Sequence, residues 1–94
     1  MYEDEAAVIR RMMESGVRII FSFHAEMERM PERNISKDDI KVVLANCCVT
    51  EIRESNLGPV WAAQGVDLDD RSLRIPVAVK QNRNAIIIVS AIEL

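Results

Sequence analysis

A chain of ninety-four residues with a net charge of −3 fits one domain and leaves no room for a second core. A hydrophobic share of 49% is too high for a disordered chain, and a 4% aromatic share leaves Ile, Val, Leu, Met and Ala to build the interior. The acidic balance counts against a general nucleic-acid binder with a basic excess, although not against a local basic patch.

The opening Met1-Tyr2-Glu3-Asp4-Glu5 is acidic with no long apolar run behind it, so no secretory signal is expected. The longest unbroken apolar run, Ala85 to Val89, is far too short to cross a membrane. Cys47 and Cys48 are adjacent and cannot make the long-loop crosslink of small secreted domains, which makes the cytosol the expected location. So short a chain has a thin stability margin, and homodimerisation would be an unsurprising supplement.

In chain order, Ala6, Ile9, Met12 and Met13 recur at helical spacing and predict a helix over about 4–15, with Gly16 placed as its C-terminal cap. Val17, Ile19, Phe21 and Phe23 alternate with Arg18 and Ser22, predicting a strand with one buried face. Ile20 breaks the alternation and asks for partial cover on the other side. A short helix is expected from His24, capped near Ser22 or Phe23, with Met27 and Met30 on one side and a kink or break at Pro31.

Ser36, with Asp39 three residues on, reads as a capping box flanked by Ile35 and Ile40 as a hydrophobic staple. Ile40, Val43 and Leu44 carry that helix to about Asn46. The remainder predicts strands at 48–54, 60–66, 73–80 and 85–92, separated by turns at 55–59, 67–70 and 81–84. Pro76 points to an edge strand or a bulge, whereas 85–92, apolar on both faces, points to a central strand.

That order predicts an α+β fold: an antiparallel β-sheet of four to five strands with two to three helices packed on one face. The expected organisation is a single domain over 1–94, with an N-terminal helix over 1–16 and an α+β core over 17–94. Strand phase then predicts where charge falls. With Val17, Ile19 and Phe21 inward, Arg18 lies on the open face. Leu73, Ile75 and Val77 inward send Arg74 and Lys80 outward, and Arg53 joins them if Ile52 points in. The acids gather in the helical half and the Asp67–Asp70 turn, so the open face is expected to be basic.

His24 is the only histidine, at a strand–helix junction where a helix N-terminus keeps the ring neutral and available as acid or base. Arg29 and Arg33, four apart, would stand beside it as phosphate stabilisers. The plainer alternative makes His24 a helix cap and pairs the arginines with Glu26, Glu28 or Glu32. Cys47 and Cys48 lack CxxC spacing and, with one histidine, cannot build an ordinary zinc site; one of them should face the core. The glycines are scattered and form no phosphate loop, so no cofactor and no metal are expected. Asp38-Asp39 and Asp69-Asp70 read as a helix start and a turn, Trp61 as core or interface, and the methionines as core fillers.

From His24-Ala25 through Arg29-Met30, Arg33, Ile35-Ser36 and Asp39, the chain resembles the domain-of-unknown-function family 4258, and the likeness extends more loosely over about 18–92. The resemblance implies an α+β fold similar to the RelE and ParE toxins of toxin–antitoxin systems, several of which are ribonucleases that place RNA against the sheet. Residue by residue it carries over His24, Arg29 and Arg33. Other proteins of that fold act on different targets, and the leading reading here is a toxin-like RNA-interacting domain or metal-independent endoribonuclease, with RNA and an antitoxin-like protein as its partners. The competing reading is a non-catalytic protein-binding or dimerisation module. Arg18, Arg53, Arg74 and Lys80, as backbone-contacting residues, come from strand phase alone.

Overall fold

The computed structural model describes residues 2–56 and 58–94. Helix α1, Glu3–Glu14, has three acids in its first turn and buries Ala6, Ile9 and Met12 on one stripe. It ends at Ser15, and Gly16 turns the chain at a φ of 77°, a left-handed conformation that a residue without Cβ takes at no steric cost. Strand β1, Arg18–Phe21, follows. The Ser22 Oγ then accepts a hydrogen bond from Ala25 N (3.1 Å) and starts a π-helical segment, His24–Arg29, that runs directly into α2, Met30–Glu32.

The expected break at Pro31 is instead a change of helical register. Proline lacks an N–H and its ring collides with the carbonyl four residues back, and wider π turns before it relieve both problems. The same register corrects the placement of Met27. Bonds of the i→i+5 type put Ala25 and Met30 on the buried face, five residues apart, and turn Met27 out to 59% exposure.

Helix α3, Lys37–Asn46, begins with the full capping box. Ser36 Oγ accepts from Asp39 N (3.0 Å), and the Asp39 carboxylate accepts from Ser36 N (2.9 Å). Ile35 and Ile40, on either side of the cap, are both buried. The strands β2 (Cys48–Ser55), β3 (Gly58–Val66), β4 (Ser72–Lys80), β5 (Ala85–Ile88) and β6 (Ile92–Glu93) complete the chain, with a 3₁₀ turn, Gln81–Arg83, before β5.

The sheet has six strands in the order β1-β5-β4-β3-β2, with β6 beside β4. It exceeds the expected four to five because the run 85–92 is two strands. It is also not wholly antiparallel, since β1 pairs parallel to β5. A parallel pair needs a long crossover, which the intervening helices and strands supply.

Strand β4 lies inside the sheet, not at its edge, although it contains Pro76. Pro76 O accepts from Val89 N (2.9 Å), so its nitrogen faces the side where β5 gives way to β6. There the register slips by one residue between Val77–Ile88 and Arg74–Ile92. The missing donor therefore falls at an interruption of the ladder, where it breaks no regular bond.

Helix α3 packs on β3 and β4, and α1 packs on α3 and β2. Between them and the sheet lie Ile9, Ile40, Leu44, Leu73, Ile75, Ile86 and Ile88, all fully buried. Each such side chain contributes on the order of 1.5–3 kcal/mol by leaving water. Phe21 and Trp61 pack at the margin of this aliphatic core. Gly65 is the point of closest approach: a Cβ there would stand 2.9 Å from Asn46 Oδ1 and 3.3 Å from Val43 O. Among the described residues, no helix is long and apolar enough to cross a membrane.

Candidate functional site

Directly opposed residues share a face of a sheet, so the register places each charged strand residue. Trp61 pairs with Val77, Ala63 with Ile75, and Val79 with Ile86, all toward the helices. Arg18 then lies opposite Ala85, which is itself opposite Lys80; Arg53 lies opposite Val60; and Arg74 lies between Gln64 and Ile92. All four cations are on the side that no helix covers.

Arg53 reaches that side by a device that alternation alone misses. Val49 and Ile52, three residues apart, both turn inward because β2 carries a bulge between Val49 and Glu51. The bulge also brings Glu51 onto the open face, where its carboxylate accepts from Arg53 Nε at 3.0 Å.

The four cations do not form one cluster. Arg18 and Lys80 flank Ala85 beside the 3₁₀ turn, while Arg74 stands six residues back along β4, about 20 Å away at strand rise. Apolar residues of the same face, Pro76, Ala78 and Ile87, fill the interval. Arg74 and Arg53 instead border a groove of about 310 Å³ between β2, β3, β4 and β6. Arg74 Nη2 makes one long contact to Gln64 Oε1 (3.5 Å), and its Nε is out of water with no hydrogen-bond partner.

His24, Arg29 and Arg33 belong to the helical segment after β1. Arg29 Nε donates to His24 Nε2 at 3.2 Å, and Arg29 Nη1 donates to Glu32 Oε1 at 3.2 Å. On the other side of the ring, Glu28 Oε2 stands 3.7 Å from Nδ1. Arg33 also faces Glu32 (3.8 Å), and Glu26 pairs with Lys37 (3.5 Å). The sequence brings His24 and Arg29 into contact, but each guanidinium already has a carboxylate. All three side chains are more than two-fifths exposed, where such pairs contribute little.

A third cluster had no signal in the sequence. Asp39, Asp67 and Asp69 bring carboxylate oxygens within 4.8 Å of one another. Arg71 answers their charge: its Nε donates to Asp67 (2.8 Å), its Nη1 to Arg33 O (2.8 Å), and its Nη2 to Asn34 O (3.0 Å), with Asp39 at 3.4 Å. Asp67 also accepts from Asp69 N and Arg71 N. Burial works to raise the Asp67 carboxyl, but these hydrogen bonds and the guanidinium together hold it below its ordinary range. The cluster pins the β3–β4 turn to the segment before α3.

Of the two cysteines, Cys47 is buried and Cys48 exposed. Burial pushes the Cys47 thiol up to about 11, against the pull of Arg10, whose guanidinium donates to the Cys47 carbonyl at 2.7 Å. That thiol is packing, not chemistry.

Comparison with curated proteins and with solved structures gave no match. The family model described as "Domain of unknown function (DUF4258)" matches residues 21–93, from the last residue of β1 through β6. That span takes in the helical segment, α3 and most of the sheet, and the chain belongs to the DUF4258 family.

Proposed function

We propose that the chain is a binding domain that presents the uncovered face of its sheet to the phosphate backbone of RNA. Charge placement supports this reading: a chain of net −3 carries Arg18, Arg53, Arg74 and Lys80 on one face with Glu51 beside them, while acids crowd the helices. A solvated surface with no anionic partner has no need for that segregation. The likeness to RelE- and ParE-type toxins belongs to the same proposal, as does an antitoxin-like protein competing for the face. Ribonuclease activity would ask more of the site. His24 would have to take a proton from the RNA 2′-hydroxyl, and Arg29 would first have to leave Nε2.

The test is retention of the full chain on immobilised single-stranded RNA. Four phosphate contacts at a slope of roughly −0.7 each predict an affinity loss of about 150-fold between about 0.05 and 0.3 M salt. Arg18→Glu with Lys80→Glu should abolish retention, and unchanged binding in that double variant would end the proposal. His24→Ala should leave retention intact and remove any cleavage; cleavage that survives it would take His24 out of the reading. Absence of RNA binding at low salt would favour the second reading, a protein-docking module, which the apolar middle of the face supports.

A further inference from the structure

The groove on the open face is more than a gap between cations. Its apolar lining is Val60, Ala62, Pro76, Val89 and Ile92, and of the charged residues that line it Arg74 is half-buried while the others are exposed. Glu51, Glu54 and Arg53 stand at its rim, with Arg53 already engaged by Glu51. Among the described residues no carboxylate ion-pairs with Arg74, and its Nε is both buried and unpartnered. A guanidinium offers five donors, and an unpaired buried donor is costly, so this arrangement leaves a charge and a hydrogen-bonding capacity to be met from outside the chain. An anion lodged in the groove gives the side chain a reason to turn and meet it.

We infer that the groove is a binding site for a small amphiphilic carboxylate, with a compact apolar body against Pro76 and its neighbours and its carboxylate forked onto Arg74. Size limits the guest. About 310 Å³ is at the low end for ligand pockets and admits roughly ten non-hydrogen atoms at the volume each water occupies in the liquid. Charge limits the head group. One free guanidinium suits a monoanion, and a planar carboxylate matches the guanidinium fork. A dianionic phosphate would bring its second charge toward Glu51 and Glu54 at the rim. The guest shares Arg74 with the RNA proposal but touches neither Arg18 nor Lys80, so the Arg18→Glu, Lys80→Glu variant that removes RNA retention should leave guest binding intact.

The experiment is a nitrogen–proton NMR titration of the full chain with hexanoate, 1-hexanol, inorganic phosphate and uridine monophosphate. Hexanoate should shift the amides of Val60, Ala62, Arg74 and Ile92 and the Arg74 Nε–H, with half-saturation near ~1 mM. Hexanol, of the same body without the charge, should bind at least about tenfold more weakly, as one lost charge-assisted contact implies. Arg74→Gln should weaken hexanoate by a similar factor. Ala62→Leu fills the groove without touching the charge, and it should abolish the shifts while the rest of the spectrum stays folded. Equal response to hexanol and hexanoate, shifts located elsewhere, or no shift at all would overturn the site. Binding of uridine monophosphate or phosphate in preference to hexanoate would overturn it too and leave the groove to the nucleic acid.

Discussion

Replacing Asp67 with Asn tests whether the Arg71 cluster holds the β3–β4 turn in place. The substitution keeps shape and one oxygen, so Oδ1 can still accept from Asp69 N and Arg71 N. It removes the charged oxygen that faces Arg71 Nε at 2.8 Å and sets an N–H donor against a guanidinium donor. Loss of one hydrogen bond to a charged group is worth about 1.5–3 kcal/mol, and Asp67 is 4% exposed, so water cannot fully replace it. About 2–3 kcal/mol is the expected cost at neutral pH, read by urea unfolding, with a Tm drop of roughly 10–20 °C for a chain this size. The pH dependence has a definite sign. The folded-state pKa of Asp67 is depressed, so its contribution is fully present above the unfolded value near 3.9 and fades as pH falls through the lower folded value. The gap between wild type and Asp67→Asn should therefore be constant from about pH 6 to 8 and narrow below about pH 4, where the protonated carboxyl comes to resemble the amide. A gap under about 0.5 kcal/mol at neutral pH, or one that does not narrow in acid, would refute the role given to the cluster.

Three further substitutions or probes address other parts of the fold. Gly65→Ala should cost about 1–3 kcal/mol by overpacking β3 against α3, and Asn46→Ala in the same chain should recover part of it because Asn46 Oδ1 is the nearest obstacle; thermal melts of the single and double variants decide this. Ser36→Ala should cost about 1 kcal/mol in urea unfolding, since it strips the acceptor for Asp39 N and half of the capping box. A neutral thiol reagent should label the native chain once, at Cys48, and twice in urea, because Cys47 is buried with its thiol pushed up to about 11; two fast labels in the native state would contradict the placement of Cys47.

What was legible in the residues was whatever depends on neighbours in sequence. The capping box at Ser36–Asp39, the staple of Ile35 and Ile40, the turn at Gly16 and the inward phase of Leu73, Ile75 and Val77 are local patterns, and each appears where its spacing put it. Features that depend on distant partners were not legible. Arg71 follows the 67–70 turn with no local pattern to mark it, and its role appears only when the fold brings Arg33 and Asn34, thirty-eight and thirty-seven positions away, to its guanidinium. The bulge that turns both Val49 and Ile52 inward, and the slip that divides 85–92 into β5 and β6, are properties of strand pairing. Met27 was misplaced for a different reason: a 3.6-residue period was applied to a segment that Pro31 pushes into wider turns. The groove beside Arg74 has walls drawn from four strands, so no window of sequence contains it.

The uncovered face raises the question of how much apolar surface it presents, and its composition answers it. Its middle rungs are alanines: Ala62, Ala78 and Ala85 are 7%, 0% and 2% exposed although no helix lies over them. Each has a larger residue directly opposite it on the adjoining strand, Ile87 across from Ala78 and Lys80 across from Ala85 among them. Of the large apolar side chains on this face, Val66 is 42%, Ile20 39% and Ile92 38% exposed, and they sit on three different strands instead of forming one patch. Two copies meeting face to face would also bring Arg18, Arg53, Arg74 and Lys80 of both copies into one seam, with Glu51 and Glu54 as the acids available to compensate. Like charges in an isologous contact cost several kcal/mol, more than so small an apolar patch returns. The chain should therefore sediment as a monomer at concentrations up to about 0.1 mM near physiological salt. A stable dimer that Arg74→Glu disrupts would show that this face recognises itself, and the charge argument for an anionic partner would fall with it.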